Sequence, residues 1–380
     1  MRLNPPPKAR RRASIIVAAR LLVMLGFTCA AGPAWAQTPA TPPATEIATL
    51  RQSYSLPVAQ WPAAQTDAGV AFIELAPLPA LPVPDREKAD LGRHLFHDPR
   101  LSRNADVSCA TCHDPQHGWS SGTARARGHG GMEGRRNPQG LRSIAARALL
   151  SPDALWGWDG RGGSLATQLL FPLTAPDEMA HASLDQALAR MMPLYGPRFT
   201  ALYGGLSAPA LADALTTFLA TLEQPTQFDR FLAGDTTALN DEAIHGLHLF
   251  RTKAGCANCH HGPLLTDNLF HNLRISAFGE PAQDLGRAGV TGRAEDTGRF
   301  RTPSLRHVRE TAPYMHSGLF RSLKGVVHLY DRGGGEVWAR NAQEAAHPLY
   351  PFAAQLSPHI RPLGLSQEEQ AALVAFLEAL

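Results

Sequence analysis

Apolar residues recur at helical spacing in several stretches of the chain, each beginning at a residue that can cap a helix. Asp85 is expected to cap a helix that runs to about Phe96, and Ser183 and Asn240 are expected to cap two others. Ser366 begins a capping box before the last apolar stretch. No comparable alternation of apolar and polar residues occurs, so the pattern predicts a mostly α fold with long loops and at most short hairpins.

The first 36 residues have the pattern of an export signal. Basic residues at positions 8–12 precede an apolar run at 21–27, and Ala34-Trp35-Ala36 then matches a signal-peptidase site. The apolar run is far shorter than the ~20 residues of a spanning helix. We therefore expect cleavage after Ala36, a periplasmic protein and no membrane span.

Charge changes little in this picture. The chain has 36 Lys and Arg against 33 Asp and Glu, a net charge of +3. Six of the basic residues lie in the predicted signal, so acidic residues outnumber basic ones from Gln37 onward. The net charge is thus no indication of nucleic-acid binding.

Four cysteines remain after the signal, and they form two copies of one motif. The sequences are Cys-Ala-Thr-Cys-His at residues 109–113 and Cys-Ala-Asn-Cys-His at residues 256–260. This is the attachment pattern of c-type haem, with Cys109 and Cys112, then Cys256 and Cys259, as thioether positions and His113 and His260 as iron ligands. A four-cysteine zinc site needs no His after each pair, and a redox motif would not occur twice with the same His.

The 147-residue spacing between the motifs is about one domain long. We expect two c-type cytochrome domains in tandem, at residues 85–235 and 236–380, each with one covalent haem. A segment rich in Pro and Ala at residues 37–84 is expected to be a tail or a linker on the surface.

Several spaced motifs resemble the bacterial di-haem cytochrome c peroxidase family, including its MauG-like branch. They are Trp-Asp-Gly-Arg at 158–161 with the Gln, Pro and Glu that follow it, Arg-Thr-Pro-Ser-Leu-Arg at 301–306, and Thr-Ala-Pro-Tyr-Met-His-Ser-Gly at 311–318. The resemblance extends from about Leu91 to Arg332. It implies an enzyme that uses hydrogen peroxide at the first haem.

The resemblance also implies roles for residues around that haem. Glu178 matches the distal acid that moves a proton between the peroxide oxygens, and Gln168 matches a distal amide. Trp158 matches an indole between the two haems that relays electrons. Without the resemblance, Glu178 would be interpreted as a surface acid and Trp158 as a packing residue.

Further positions match metal ligands of the family. His129, in a loop with six glycines between residues 122 and 140, matches a switchable ligand of the first iron, with His117 as a competing candidate. Asn137, Thr311 and Pro313 match a calcium site, although turn residues without a metal are an alternative.

Tyr330 stands where classical members carry a distal Met on the second haem and the MauG-like branch carries Tyr. A phenolate favours oxidised iron, whereas a thioether raises the potential. Met315 or His316 is the alternative ligand. One departure is Ala254, two residues before the second Cys pair, where MauG has a Trp that faces its protein substrate.

The resemblance therefore predicts a periplasmic di-haem oxidoreductase with two covalent haem c groups and one calcium ion. Its expected partners are hydrogen peroxide and either a small redox protein, such as cytochrome c or a cupredoxin, or an oxidisable partner protein. The alternative function is a non-enzymatic di-haem electron-transfer cytochrome.

Overall fold

A computed structural model describes residues 44–380, so the predicted signal at residues 1–36 and its cleavage site lie outside the described residues. The described part is mostly helical, as predicted. Its helices are α1 Ala44–Tyr54, α2 Arg86–His97, α3 Cys109–Cys112, α4 Ile144–Leu150, α5 Leu165–Thr174, α6 Leu184–Tyr203, α7 Ala208–Ala220, α8 Gln227–Leu232, α9 Asp241–Arg251, α10 Ala288–Thr291, α11 Leu323–Asp331, α12 Ala342–Ala345, α13 Tyr350–Ala353 and α14 Gln367–Leu377.

The predicted helix caps are confirmed. Asp85 accepts hydrogen bonds from the backbone amides of Glu87 and Lys88 at the start of α2. Ser183 and Asn240 cap α6 and α9 through the amides three residues on. Ser366 forms the predicted capping box at the start of α14.

Residues 44–380 contain one short antiparallel pair of strands, β1 Phe270–Asn272 and β2 Arg299–Arg301. Phe270 lies opposite Arg301, and Asn272 lies opposite Arg299. Three residues per strand are too few to show an alternating pattern, so this pair could not be predicted from the sequence.

Apolar side chains form two separate cores. One takes buried residues from 91–222 and includes α2, α6 and α7, whereas the other takes residues from 54–75 and from 228–380 and includes α9 and α14. Helix α8, before the predicted boundary at residue 235, contributes Phe228 and Phe231 to the second core. The division into two domains stays a prediction.

The segment predicted to be a tail or linker packs into the second core. Tyr54, Trp61 and Leu75 are buried there. The guanidinium of Arg251 on α9 donates hydrogen bonds to Tyr54 and to the backbone carbonyl of Pro62. Burial of these three large apolar side chains stabilises the packing of the Pro- and Ala-rich stretch against the core. Among residues 44–380, no helix has both the length and the apolar character needed to cross a bilayer.

Candidate active site

The first Cys-x-x-Cys-His motif begins on the single turn of α3 and is capped by Ser108 and Thr111. The ring of His113 points its Nδ1 at the backbone carbonyl of Trp119, 2.8 Å away. A carbonyl can only accept, so Nδ1 carries the proton and Nε2 keeps its lone pair for a metal. The segment thus presents two thiols for attachment to a haem. It also presents one unprotonated imidazole nitrogen, the state that an iron ligand requires.

The second motif has the same arrangement. Nδ1 of His260 donates to the carbonyl of Leu265 at 2.9 Å. Both acceptor residues adopt left-handed backbone conformations, with φ of 60° at Trp119 and 49° at Leu265. A side chain rarely adopts this conformation outside a constrained turn, so the two turns are built in the same strained way to orient a His.

The four thiols form no disulfide. Burial raises the pKa of Cys109 and of Cys256 to about 12. Reactive redox cysteines need a lowered thiol pKa, so these environments disfavour that use. Neutral thiols held in pairs beside an imidazole nitrogen fit covalent haem attachment.

A cavity of about 250 Å³ lies beside the second motif. Its walls include Cys256, Cys259 and His260, together with Tyr330 from α11. Burial raises the pKa of Tyr330 above its ordinary value. The phenol of Tyr330 and the imidazole of His260, both predicted from the sequence to bind the second iron, therefore line the same cavity.

The two alternative ligands, Met315 and His316, also line this cavity. His316 is 3% exposed, and its ring stacks on Phe300 with centroids 3.6 Å apart. Its Nδ1 is buried and has no hydrogen-bond partner among the described residues. Burial lowers the pKa of His316 to about 4, so its ring is neutral at pH 7. The choice of Tyr330 as distal ligand stays a prediction.

Glu178 lies near the first motif. Glu178 follows α5 in a turn where its amide donates to the carbonyl of Ala175 at 3.0 Å. Burial, with the neighbouring Asp177 carboxylate as a second cause, raises the pKa of Glu178 to about 7. Glu178 in turn helps to raise the pKa of the Cys112 thiol, which reflects their proximity.

Gln168 is the second distal candidate, and its Oε1 is buried without a hydrogen-bond partner among the described residues. A buried amide oxygen without a partner is costly, so this atom indicates a missing donor. Ideal Cβ atoms on Gly157 and Gly162 would lie 3.0 and 2.3 Å from that oxygen. The glycines leave room for the amide in this position.

The glycine-rich loop brings His129 beside Glu178. The amide of His129 donates to the carbonyl of Glu178 at 2.9 Å, while its imidazole Nδ1 lies 3.6 Å from the Asp106 carboxylate. His117, the competing candidate, lies in an exposed pair with Asp114 at 3.1 Å. Of the two histidines, His129 is therefore the one that lies next to Glu178.

The two tryptophans of the Trp-Gly-Trp segment have different environments. Trp158 lines the cavity and donates from Nε1 to the carbonyl of Asn137 at 2.8 Å. Trp156 is 3% exposed, and the guanidinium of Arg147 stacks 3.8 Å from its ring centroid. Trp156 thus has a packing role, and Trp158 faces the space where a relay would be needed.

The predicted calcium ligands Asn137, Thr311 and Pro313 all line the same cavity. Asn137 is 5% exposed, and its Nδ2 donates to the carbonyls of Thr123 and Ala124. With the amide nitrogen engaged, Oδ1 is the atom left for a metal. Ala254, which departs from MauG, is 5% exposed and belongs to the second core, so it presents no surface.

Comparisons with known proteins agree with this site. A family model described as di-haem cytochrome c peroxidase matches residues 86–237. Methylamine utilization protein MauG of Methylorubrum extorquens is 39% identical over 77% of this chain and 78% of its own length. Cytochrome-c peroxidase IdrP1 of a Pseudomonas species is 34% identical over 80% of this chain and 85% of its own length. The chain belongs to the di-haem cytochrome c peroxidase family.

Solved structures of the family share the fold. A MauG-like protein associated with microbial copper homeostasis aligns with a TM-score of 0.65 and 26% identity, covering 83% of this chain and 95% of that one. The di-haem peroxidase BthA of Burkholderia thailandensis aligns with a TM-score of 0.66 and 23% identity, over 86% and 94% of the two chains. The resemblance predicted from the sequence is confirmed: the protein is a peroxidase-type, MauG-like oxidoreductase, and its family implies two haem c groups.

Proposed function

We propose that hydrogen peroxide is reduced at the haem held by Cys109, Cys112 and His113. The haem supplies an iron that binds and reduces peroxide when it is present. The overall reaction consumes two protons and two electrons and yields two waters. Protons must therefore be delivered at this site, and we propose that Glu178 delivers them.

The observation that carries the proposal is the environment of Glu178. With a pKa of about 7, its carboxyl can accept a proton from one peroxide oxygen and return it to the other near neutral pH. Gln168 supports this role because its unpartnered Oε1 can accept a hydrogen bond from a peroxide O–H. The two side chains together orient the bound molecule and move its proton.

We further propose that Trp158 couples this site to the second haem, held by Cys256, Cys259 and His260. Its hydrogen bond to Asn137 fixes an oxidisable ring in the cavity wall beside the second motif. Tyr330 is proposed as the distal ligand there, which favours oxidised iron and hence a MauG-like division of labour. Asn137, Thr311 and Pro313 are proposed to hold calcium.

The electrons are proposed to come from a periplasmic partner. The 39% identity to MauG of methylamine utilization supports an oxidisable side chain on a partner protein, and the likeness to cytochrome-c peroxidases supports a small redox protein such as cytochrome c or a cupredoxin. Ala254 is buried where MauG has its partner-facing Trp, so we propose a different docking route.

The experiment is a rapid-mixing measurement of the reaction with peroxide in wild type and Glu178→Gln. The variant keeps the shape of the side chain but cannot take a proton, so the rate constant should fall by about 10²–10⁴-fold. Haem content, measured after alkaline pyridine treatment, should stay at two per chain. Glu280→Gln, at an exposed position, is the control. Full reactivity of Glu178→Gln would overturn the proposed proton route.

A further inference from the structure

Four arginines are buried in the part of the chain that the structure describes: Arg147, Arg251, Arg301 and Arg306. Two of them have a carboxylate partner, because Arg251 pairs with Glu74 and Arg306 pairs with Asp229. This is the expected arrangement, since an isolated buried charge is strongly destabilising. The other two arginines form no salt bridge within residues 44–380.

Arg301, on β2, is 4% exposed and makes only neutral contacts. Its Nε donates to the carbonyl of Gly157 at 3.0 Å, and its Nη atoms donate to the carbonyl of Thr302 and to Oε1 of Gln139. These bonds use one N–H on each nitrogen, and a guanidinium has five N–H donors. Each Nη atom therefore keeps an N–H for another acceptor.

Arg147, on α4, is also 4% exposed and has only neutral partners. Its Nε donates to Oδ1 of Asn268 at 2.9 Å, and its Nη2 donates to the carbonyl of Leu155 at 2.8 Å. Its guanidinium carbon lies 3.8 Å from the ring centroid of Trp156, and Nη1 forms no hydrogen bond to the described residues. The side chain is held in place, but its charge is not neutralised.

The two cations also disfavour each other. Burial lowers the pKa of Arg147 to about 8, with the charge of Arg301 as a second cause, and burial lowers the pKa of Arg301 to about 10. Both side chains line the cavity that Cys256, Cys259 and His260 line. Arg301 feels the more distant carboxylate of Asp267, but neither guanidinium forms a salt bridge. A cavity with two such cations in its wall is complementary to an occupant with negative charges.

We propose that Arg147 and Arg301 bind the two propionate carboxylates of the haem attached to Cys256 and Cys259. This inference rests on the proposed function, which places a haem at that motif. Carboxylates would take the N–H donors left on both guanidiniums and compensate their charges. By offsetting the negative charges of the propionates, the arginines would favour the reduced state of the second iron.

Arg301 would also connect the propionates of the second haem to Trp158, the proposed electron relay. Its backbone amide donates to the carbonyl of Trp158 at 2.8 Å, and its Nε holds the adjacent carbonyl of Gly157. Arg301 thus donates hydrogen bonds to the backbone carbonyls of both Gly157 and Trp158. Arg301 is therefore a positioning residue for Trp158 as well as a propionate ligand.

The test is a redox titration of both haems in the full-length holoprotein. Arg301→Gln and Arg147→Gln should each lower the midpoint potential of the second haem and leave that of the first haem unchanged. Arg301→Lys keeps the charge, so its second-haem potential should stay closer to that of the wild type. Because the haem is covalently attached, two haems per chain are expected in every variant. Should one Gln variant fail to fold, the other makes the same measurement.

A double variant, Arg306→Gln with Asp229→Asn, is the matched control. It removes a buried arginine of the same cavity together with its partner carboxylate, so the net charge of the protein is unchanged. The inference would be overturned, with the proposed function intact, if Gln variants that carry both haems kept the wild-type potential at the second haem. Equal shifts of potential in both haems, or an equal shift in the control, would also overturn it. A wild type with fewer than two haems would overturn the proposed function with it.

Discussion

The backbone amide of His129 donates a 2.9 Å hydrogen bond to the carbonyl of Glu178. The glycine-rich loop therefore contacts the main chain of the proposed proton-transfer residue itself. Gly128, one residue earlier, approaches even more closely, since an ideal Cβ there would lie 2.0 Å from the carbonyl oxygen of Asp177. The absence of a side chain at Gly128 lets the loop reach this depth.

Gly128→Ala should consequently push the loop away from residues 177 and 178. We expect a loss of about 1–3 kcal/mol in stability, as for other overpacked sites, together with slower reaction with peroxide. Gly289→Ala is the matched control, because a Cβ there meets nothing within 4 Å. Thermal unfolding and rapid mixing measure the two effects. If Gly128→Ala had the stability and the peroxide reaction rate of the wild type, the close contact would be unimportant.

The pH dependence of the peroxide reaction should report the carboxyl of Glu178. Only its ionised form can accept the peroxide proton, so the rate constant should rise with pH to a plateau, with a midpoint near the pKa of about 7. Asp177 helps to raise that pKa, so Asp177→Asn should move the midpoint to lower pH by roughly a few tenths of a unit to one unit.

Asp153→Asn, at an exposed position outside this turn, is the control for the change of charge. It should leave the midpoint where it is in the wild type. A shift to higher pH in Asp177→Asn would have the wrong sign for a repulsive carboxylate pair and would assign the titration to another group.

Trp158 and Trp156 offer a comparison within one segment. Trp158→Phe removes the oxidisable indole and its hydrogen bond to Asn137, so electron transfer from a pre-reduced second haem to the first should slow. Trp156→Phe removes an indole under Arg147 and should mainly lower stability, by about 0.5–2 kcal/mol. Stopped-flow absorbance of the second haem after peroxide addition measures the transfer. Equal transfer rates in the two variants would exclude a special role for Trp158.

Calcium binding can be separated from the structural role of Asn137 by two substitutions. Asn137→Asp keeps an oxygen ligand for calcium but loses the N–H donors to the carbonyls of Thr123 and Ala124. Asn137→Ala loses the oxygen ligand as well as these donors. Each lost hydrogen bond should cost about 0.5–1.5 kcal/mol. Added calcium should raise the Tm of the wild type and of Asn137→Asp, but not that of Asn137→Ala. Magnesium is the control ion. A wild type whose Tm does not respond to calcium would contradict the proposed calcium site.

Local patterns were sufficient for some of these features and not for others. Asp85, Asn240 and Ser366 cap their helices as predicted because a cap depends on residues two or three positions away. The Cys-x-x-Cys-His motifs are equally local. Glu178, in contrast, reads as a surface acid, and its environment arises because a loop some fifty residues earlier in the chain packs onto it.

Arg147 and Arg301 show the same limit. Arginine is usually exposed, so a sequence pattern gives no reason to place either one in a cavity wall. Their burial depends on contacts to residues 155–157 and to Gln139 and Asn268, which only the tertiary structure brings together. Family spacing identified Arg301 as part of a motif without giving it a function.

The residue at position 330 distinguishes the two branches of the family, since classical members have Met there and the MauG-like branch has Tyr. Tyr330→Met should raise the midpoint potential of the second haem, because a thioether favours reduced iron more than a phenolate does. Tyr330→Phe removes the oxygen without supplying sulfur and serves as the matched control. If the protein works as the MauG-like branch does, Tyr330→Met should still react with peroxide at the first haem but lose oxidation of the partner protein.

A classical peroxidase would instead keep or gain turnover with a reduced cytochrome or cupredoxin donor when Tyr330 becomes Met. Spectroelectrochemistry gives the potentials, with the first haem as an internal reference, and the EPR spectrum of the resting protein reports the ligand of each iron. Loss of a tyrosinate-ligated signal in both variants, with the first-haem signal unchanged, is the result expected for a Tyr330 ligand. A wild-type spectrum identical to that of Tyr330→Phe would assign the distal position to Met315 or His316, which line the same cavity.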